Sequence, residues 1–417
     1  MTMKRSRSIL ETFLGLESKA SKLFGTISLS EIVLLLALGA MISCKRVSNS
    51  STEHVVRMSN AITQTLYMSD YFESIEYIPL ETRAECLIGG NPTIYVTNEF
   101  IVVINLREQE CYIFDRQFGK FIRKIGNRGQ GPEDYLKIPN GIIVNEQEKT
   151  IFFDKGDRLI EYSLTDRSAL HLLAPIPPLG GQSLIHISDN IWSIGYANSS
   201  GSVPNRFLFF DRTAILDSIP NYDTFTLKND VFVFYNEVFF YRYNNNVYYK
   251  PLFNDTIYKI VDMKLQPEWV FEMNKSLQNL LELRLRDDID KLSQESVNYH
   301  FIFPIFETNG YLFFNTKYQR QNHAFMFDKQ RQHLVKLEQG NFINDIDGGL
   351  NFWMTTTNQN QDLICMYQAY LFKEEINNKE LSEQSAKKPL EFKKLRTLVA
   401  QMDEEDNPII VIAKLKQ

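Results

Sequence analysis

Asp345 and Asp347 form the acidic pair in this chain whose spacing best suits a ligand, with Gly348 and Gly349 directly behind them. In an extended segment, residues two apart project from one face, so both carboxylates can address one cation or one sugar. Calcium takes six to eight oxygens, and one pair supplies only part of that shell. The competing reading is a turn entering a new strand, with the glycines taking unusual backbone angles. A second candidate is FIRKIGNRGQGPEDY, Phe121 to Tyr135, where Gly126, Gly129 and Gly131 stand among Arg123, Arg128 and Asp134. That composition suits a phosphate-cradling loop. Such a loop, however, runs from a strand straight into a helix whose first amides face the anion, whereas Pro139 and a β-rich run follow here. The stretch therefore predicts a corner. Arg123, Arg128 and Asp134 remain candidate ligand-binding residues, because loops held by a rigid scaffold commonly carry binding groups.

Other chemistry is weakly signalled. The six histidines lack the i, i+4 spacing of a helical zinc site, and His186 alternates with Ile185 and Ile187 as a strand residue would. No G-x-S-x-G nucleophile elbow occurs. No catalytic residue is assigned, and no metal ligand set. The stretch from Val231 to Phe253 is dense in aromatics, ten of its 23 residues, which suits either a stacking platform for a sugar or peptide or packing on both faces of a buried strand pair.

The elements that must position these residues are strands. The chain has 417 residues, 44% hydrophobic and 13% aromatic, enough for a large core. Its formal charge of -6 argues against a nucleic-acid surface, which needs concentrated Lys and Arg. From Ser74 onward, short β-branched and aromatic runs are broken about every ten residues by Asn, Asp or Gly, the pattern of an all-β protein. One hairpin recurs: Cys111 to Gly126, Arg158 to Leu173, Arg206 to Pro220, Asp255 to Met273 and Ala324 to Gly340. Asp115, Asp211 and Asp328 sit at the same place in three copies, where a carboxylate bonding its own backbone favours a turn. A sixth copy is split between the ends: Ser74 to Glu81 lacks a partner before it and Asn407 to Lys416 lacks one after it. Pairing them closes a ring, one of the few ways a long all-β chain removes its open edges. Leucine spacing over Asn274 to Tyr299 and Leu390 to Met402 predicts one or two inserted helices.

At the start, Lys4, Arg5, Arg7, Lys19 and Lys22 precede an apolar stretch, Ile32 to Ile42. It is about half the ~20 residues that a spanning helix needs, so it reads as a signal peptide. Met41-Ile42-Ser43-Cys44 resembles the lipobox of bacterial lipoproteins, in which the cysteine becomes the acylated N-terminus. That implies a signal segment over 1–44, lipid on Cys44, a polar tether over 45–70 and the fold over 71–417. Cys86, Cys111 and Cys365 then remain, without a metal-type spacing, and read as buried small side chains.

The phrase from Gly126 through Pro132, Ile138-Pro139-Asn140-Gly141, Thr150 to Asp154 and Arg158 to Tyr162 resembles the NHL propeller repeat. There a Gly-rich crossover leads through Pro-x-Gly into the inner strand of the next blade. EYIPLET (Glu76 to Thr82), CLIG (Cys86 to Gly89), NDTIYKI (Asn254 to Ile260) and NDIDGGLNFW (Asn344 to Trp353) resemble recurrent phrases of six-bladed propeller lipoproteins from Gram-negative gut anaerobes. The resemblance implies an all-β, six-bladed, NHL-like β-propeller closed by its terminal strands and carried in the cell envelope on an N-terminal lipid. It implies a binding or scaffolding module for a glycan, peptide or partner protein, with no nucleic-acid role and no obligate cofactor. The alternative it leaves is a metal-assisted hydrolase or lyase working in the axial channel, with calcium as the candidate metal and Asp345 and Asp347 contributing, since six-bladed propellers include calcium-dependent lactonases.

Overall fold

A computed structural model of the chain describes residues 54–416, apart from 168–169, 176–182, 189, 227–233, 235–236 and 379–385. The signal segment with Cys44, and the tether as far as residue 53, lie outside the described residues. Three strands open the fold: β1 (His54–Arg57), β2 (Ile62–Tyr67) and β3 (Phe72–Pro79). Six sheets contain all the described strands. Blade I is β4 (Thr93–Val96), β5 (Phe100–Asn105), β6 (Glu110–Asp115) and β7 (Phe121–Lys124). A short β8 (Asn140–Ile142) precedes blade II, which is β9 (Val144–Asn145), β10 (Thr150–Asp154), β11 (Arg158–Ser163) and β12 (Leu170–Pro175). Blade III is β13 (Ser183–Ser188), β14 (Ile191–Gly195), β15 (Asn205–Phe210) and β16 (Ile215–Pro220). Blade IV is β17 (Val238–Tyr243), β18 (Asn246–Pro251), β19 (Thr256–Val261) and β20 (Lys264–Glu272). Blade V is β21 (Phe301–Glu307), β22 (Tyr311–Tyr318), β23 (Gln321–Asp328) and β24 (His333–Ile343). Blade VI takes β25 (Thr356–Thr357), β26 (Leu363–Tyr367) and β27 (Ile409–Leu415) from the end of the chain and β3 from its start.

The protein is thus a six-bladed β-propeller, and its closure is the one the sequence predicts. β27 and β3 pair antiparallel, Ile410 opposite Ile78 and Lys414 opposite Ser74. Each predicted hairpin copy forms the outer two strands of a blade. Its turn aspartate acts as expected: Asp115 accepts from the amides of Gln117 and Phe118, Asp211 from Thr213 and Ala214, and Asp328 from Gln330 and Arg331.

Each strand has a neighbouring blade on both faces, which explains why the strands read as apolar runs. In β5, Ile101 and Val103 pack with Ile364, Ile410 and Ile412 of blade VI, while Val102 and Ile104 pack with Ile151 and Phe153 of blade II. The aromatic stretch behaves likewise. Phe240 and Tyr249 meet Phe207 of blade III, and Tyr241 and Tyr248 face blade V with Trp269. Truncating one such buried aromatic costs about 3–5 kcal/mol.

Three features depart from the sequence reading. The tether does not extend to residue 70: β1 adds parallel to β20, with His54 opposite Trp269, and β2 adds parallel to β24, with Ile62 opposite Val335. Residues 54–79 therefore strap the outer edges of blades IV, V and VI in succession. The helices also outnumber the one or two expected. Besides a single turn, α1 (Met68–Tyr71), there are α2 (Gln278–Leu285), α3 (Ile289–Ser296), α4 (Ala369–Asn378) and α5 (Pro389–Gln401). The stretch from 274 to 299 splits in two because Asp287 takes a positive φ of 55° and Asp288 caps α3 by accepting the Lys291 amide. Finally, Gly141 carries β8 against blade III, where a Cβ would meet the Leu184 carbonyl oxygen at 2.0 Å. Among the described residues no helix is long and apolar enough to cross a membrane.

Candidate binding site in the axial channel

The innermost strands surround a channel of about 690 Å³. In an antiparallel meander the turns alternate ends, so the turns between first and second strands all open on one face of the disc. Every one of these six turns carries a side-chain amide: Asn98, Gln147, Asn190, Asn244 with Asn245, Asn309, and Asn358 through Gln361. Several are tied together. Gln361 Nε2 donates to Asn244 Oδ1 at 3.0 Å and to Asn309 Oδ1 at 3.1 Å, Tyr243 Oη donates to Asn309 Oδ1 at 3.0 Å, and Asn360 Nδ2 donates to Asn98 Oδ1 at 2.7 Å. The rim formed by blades IV, V, VI and I is thus a hydrogen-bonded belt of amides.

Two carboxylates line the channel at or beside this rim, and they differ sharply. Glu307 is buried and fully partnered: it accepts from Tyr241 Oη at 2.7 Å, Trp269 Nε1 at 3.2 Å and Lys329 Nζ at 2.7 Å. Lys329 also lies 4.4 Å from the Tyr243 ring centroid. This cluster joins blades IV and V and offers a ligand little. Glu146 has no hydrogen-bond or ion-pair partner among the described residues, and burial pushes its pKa up to about 7 against the opposing pull of Arg242. Arg242, from β17, donates to the His186 carbonyl oxygen and has no other acceptor among the described residues. Its charge acts on Tyr95, Glu146 and His186, from blades I, II and III. Desolvation lowers its own pKa, yet a guanidinium remains cationic in a protein. A half-satisfied cation with fork-like donors, facing an open cavity, is built to take a planar anion such as a carboxylate.

None of the five candidate residues read from the sequence lines this channel. Arg123 is buried in β7 rather than exposed on the loop, and its guanidinium donates to the Ser163 carbonyl, tying blade I to blade II. Arg128 is exposed, and its backbone bridges to Tyr135. Asp134 fills its own loop: Oδ2 accepts the Gly131 amide at 2.9 Å, and a Cβ on Gly129 or Gly131 would strike that oxygen at 2.3 or 2.7 Å. Only Gly126 of the three has a positive φ. The corner reading holds, but two of its glycines are there to admit a carboxylate from the chain itself.

Asp345 and Asp347 are not brought together on a ligand. Asp345 accepts from the Ser69 amide at 2.9 Å and hydroxyl at 2.6 Å and pairs with Lys387 at 2.8 Å, fastening α1 to the loop. Asp347 Oδ1 accepts from Gly349 N at 2.9 Å, Asn344 Nδ2 at 2.8 Å and Tyr77 Oη at 3.3 Å. Burial raises the Asp347 pKa, while hydrogen bonds, chiefly from Lys387 and Ser69, outweigh burial at Asp345 and lower its pKa. Both carboxylates are thus engaged with groups of the chain itself, and neither lines the channel where the hydrolase or lyase alternative had placed them. Among the described residues no group of three or more His, Cys, Asp and Glu side chains is placed to hold a metal ion.

Comparison with known proteins agrees with this architecture. Residues 53–414 match the family model described as a domain of unknown function, DUF4934. The chain belongs to that family. The DUF4934 match begins at the strap and ends in β27, so it takes in the whole ring. No curated protein matches the sequence. Among solved structures, a candidate exported protein of Bacteroides fragilis NCTC 9343 superposes with a TM-score of 0.64 at 18% identity, over 87% of this chain and 99% of that one. A DUF4221 member from Bacteroides vulgatus gives a TM-score of 0.45 at 12% identity, over 83% and 97% respectively. The residues that sequence reasoning missed, Glu146 and Arg242, carry no local motif. The one signal available was Arg242 itself, a cation in the aromatic run FFYRY.

Proposed function

We propose that this DUF4934 protein is an extracytoplasmic binding propeller whose ligand enters the axial channel from the amide-bearing face and docks an anionic group on Arg242. The observation that carries this reading is the Arg242 guanidinium, which lines a channel of about 690 Å³ with a single protein acceptor. Arg242 is half-buried, and its remaining donors face the channel without a protein acceptor among the described residues, so they are open to a ligand acceptor. The amide rim suits the polar remainder of such a ligand, a glycan or a peptide, because each amide offers both donors and an acceptor.

Extracytoplasmic placement is supported by the basic and apolar start of the chain and by the exported character assigned to the Bacteroides fragilis relative. Acylation of Cys44 would hold the protein on a membrane, with the residues between Cys44 and His54 as the tether. The binding claim is tested by screening the purified full-length chain against glycan and peptide arrays beside Arg242→Met. A hit whose binding survives that substitution unchanged removes the channel from the proposal. The anchor is tested separately, since Cys44→Ala should leave an unacylated protein that no longer fractionates with membranes.

A further inference from the structure

On the opposite face of the disc, between blades V and VI, lies a second cavity of about 330 Å³. It is bounded by the β22–β23 hairpin end, Gly340 and Asn341 of β24, the segment around Trp353, and the end of β26. Two of its polar atoms are fully buried yet have no hydrogen-bond partner: Trp353 Nε1, a donor, and Asn341 Oδ1, an acceptor. Buried polar atoms are nearly always partnered, so two orphans of opposite sense at one cavity leave a donor and an acceptor that a ligand can complete.

The rest of the lining sets the chemistry of that partner. Asn315, Asn322 and Asn351 add further amides, and no Asp, Glu, Lys or Arg side chain lines the cavity. His323 belongs to it as well, and burial, helped by Lys336, lowers its pKa and so favours the neutral ring. Inside the pocket a charged ligand finds no counter-charge, while Glu374 and Glu375 border the adjoining groove, where carboxylates accept from hydroxyls. Hydroxyl groups, each both donor and acceptor, match a mixed set of amides and an indole N–H. The apolar share of the wall is flat: the Trp353 ring is held rigidly, stacked on Phe342 with centroids 6.4 Å apart and set edge-on to Phe313. The volume lies at the small end of the range for small-molecule sites, ~300–1,000 Å³. Asn341, Asn351 and Tyr367 also border an open groove of about 750 Å³ that runs along Leu371, Glu374 and Asn378 of α4.

We infer that this pocket and groove form a binding site for a neutral oligosaccharide, with one sugar ring against Trp353 in the pocket and its hydroxyls on Trp353 Nε1 and Asn341 Oδ1, and the following rings along α4. The site is separate from Arg242 and does not depend on the channel being occupied. Its test uses the full-length protein and neutral disaccharides as probes, namely maltose, cellobiose, lactose and diacetylchitobiose, followed by calorimetry and saturation-transfer NMR. At least one probe should bind saturably. Trp353→Phe, which keeps a ring on Phe342 but removes the N–H, and Asn341→Ala should each weaken it by about tenfold or more, while Arg242→Met leaves it unchanged. Failure of every probe to bind up to about 10 mM, or binding that both pocket variants leave intact, overturns the inference. A probe-soaked crystal decides independently of how the variants fold: sugar hydroxyls on the two orphan atoms support it, and water alone on both atoms refutes it.

Discussion

The loop from Gly126 to Asp134 and the wall formed by Glu146 and Arg242 contain similar chemistry, charged groups beside backbone turns, with opposite outcomes. In the loop, Asp134 turns inward onto the Gly131 amide and the chain consumes its own acceptor. The segment around Asp345 and Asp347 does much the same with Ser69, Lys387, Asn344 and Gly349, although Asp347 Oδ2 stays buried without a partner among the described residues. In the wall, Glu146 finds no partner and Arg242 finds only one carbonyl. A site is distinguished less by residue type than by hydrogen-bonding capacity that folding leaves open.

That contrast can be broken by substitution. The largest expected effect is on binding: Arg242→Met should weaken any channel ligand about 100-fold, the loss typical of truncating one side of a buried charged contact, with stability unchanged or raised because a desolvated cation is removed. The measurement is titration of an array hit beside a denaturation curve.

Next is the pH response of Glu146. Its folded pKa, about 7, lies above the ordinary value of 4.5, so the folded state binds more protons between those limits. Stability should fall as pH rises from 4.5 to 7 and then level off. Glu146→Gln should remove this slope and stabilise the protein by on the order of 2 kcal/mol above neutrality. Urea unfolding near pH 5 and near pH 8 reads the difference, and an unchanged slope in the variant would place the raised pKa elsewhere.

Loop substitutions should show the converse pattern. Asp347→Ala should cost about 2 kcal/mol, through the orphaned amides of Asn344 and Gly349, and leave ligand affinity alone. Asp345→Ala should cost about 1 kcal/mol, because Lys387 is exposed and only the Ser69 contacts are sheltered. If either variant loses binding without losing stability, the loop belongs with the wall and the contrast fails.

The sequence displayed what is local. The turn aspartates, the hairpin copies and the apolar runs each depend on a few neighbouring residues, and ring closure followed from counting unpaired strands. The strap was hidden because β1 and β2 pair in parallel with strands some two hundred residues or more away, and their polar surface resembles a linker. α4 was hidden because only Ala369, Phe372 and Ile376 mark its buried stripe within a polar connection. The channel pair was hidden for a deeper reason. Arg242 and Glu146 come from different blades, and the hydrogen-bonding capacity they leave unfilled is a property of the assembled ring. Asp345 and Asp347 misled because two carboxylates in a glycine-rich turn look alike whether they await a ligand or hold the turn together.

The strap also bears on how the molecule is made. β3 emerges from the ribosome among the first described residues, but its partner β27 is among the last, and β1 and β2 must wait for blades IV and V. Pairings this distant form slowly. Until the end of the chain is made, the early strands have nothing to clasp, and the ring closes only when β27 meets β3.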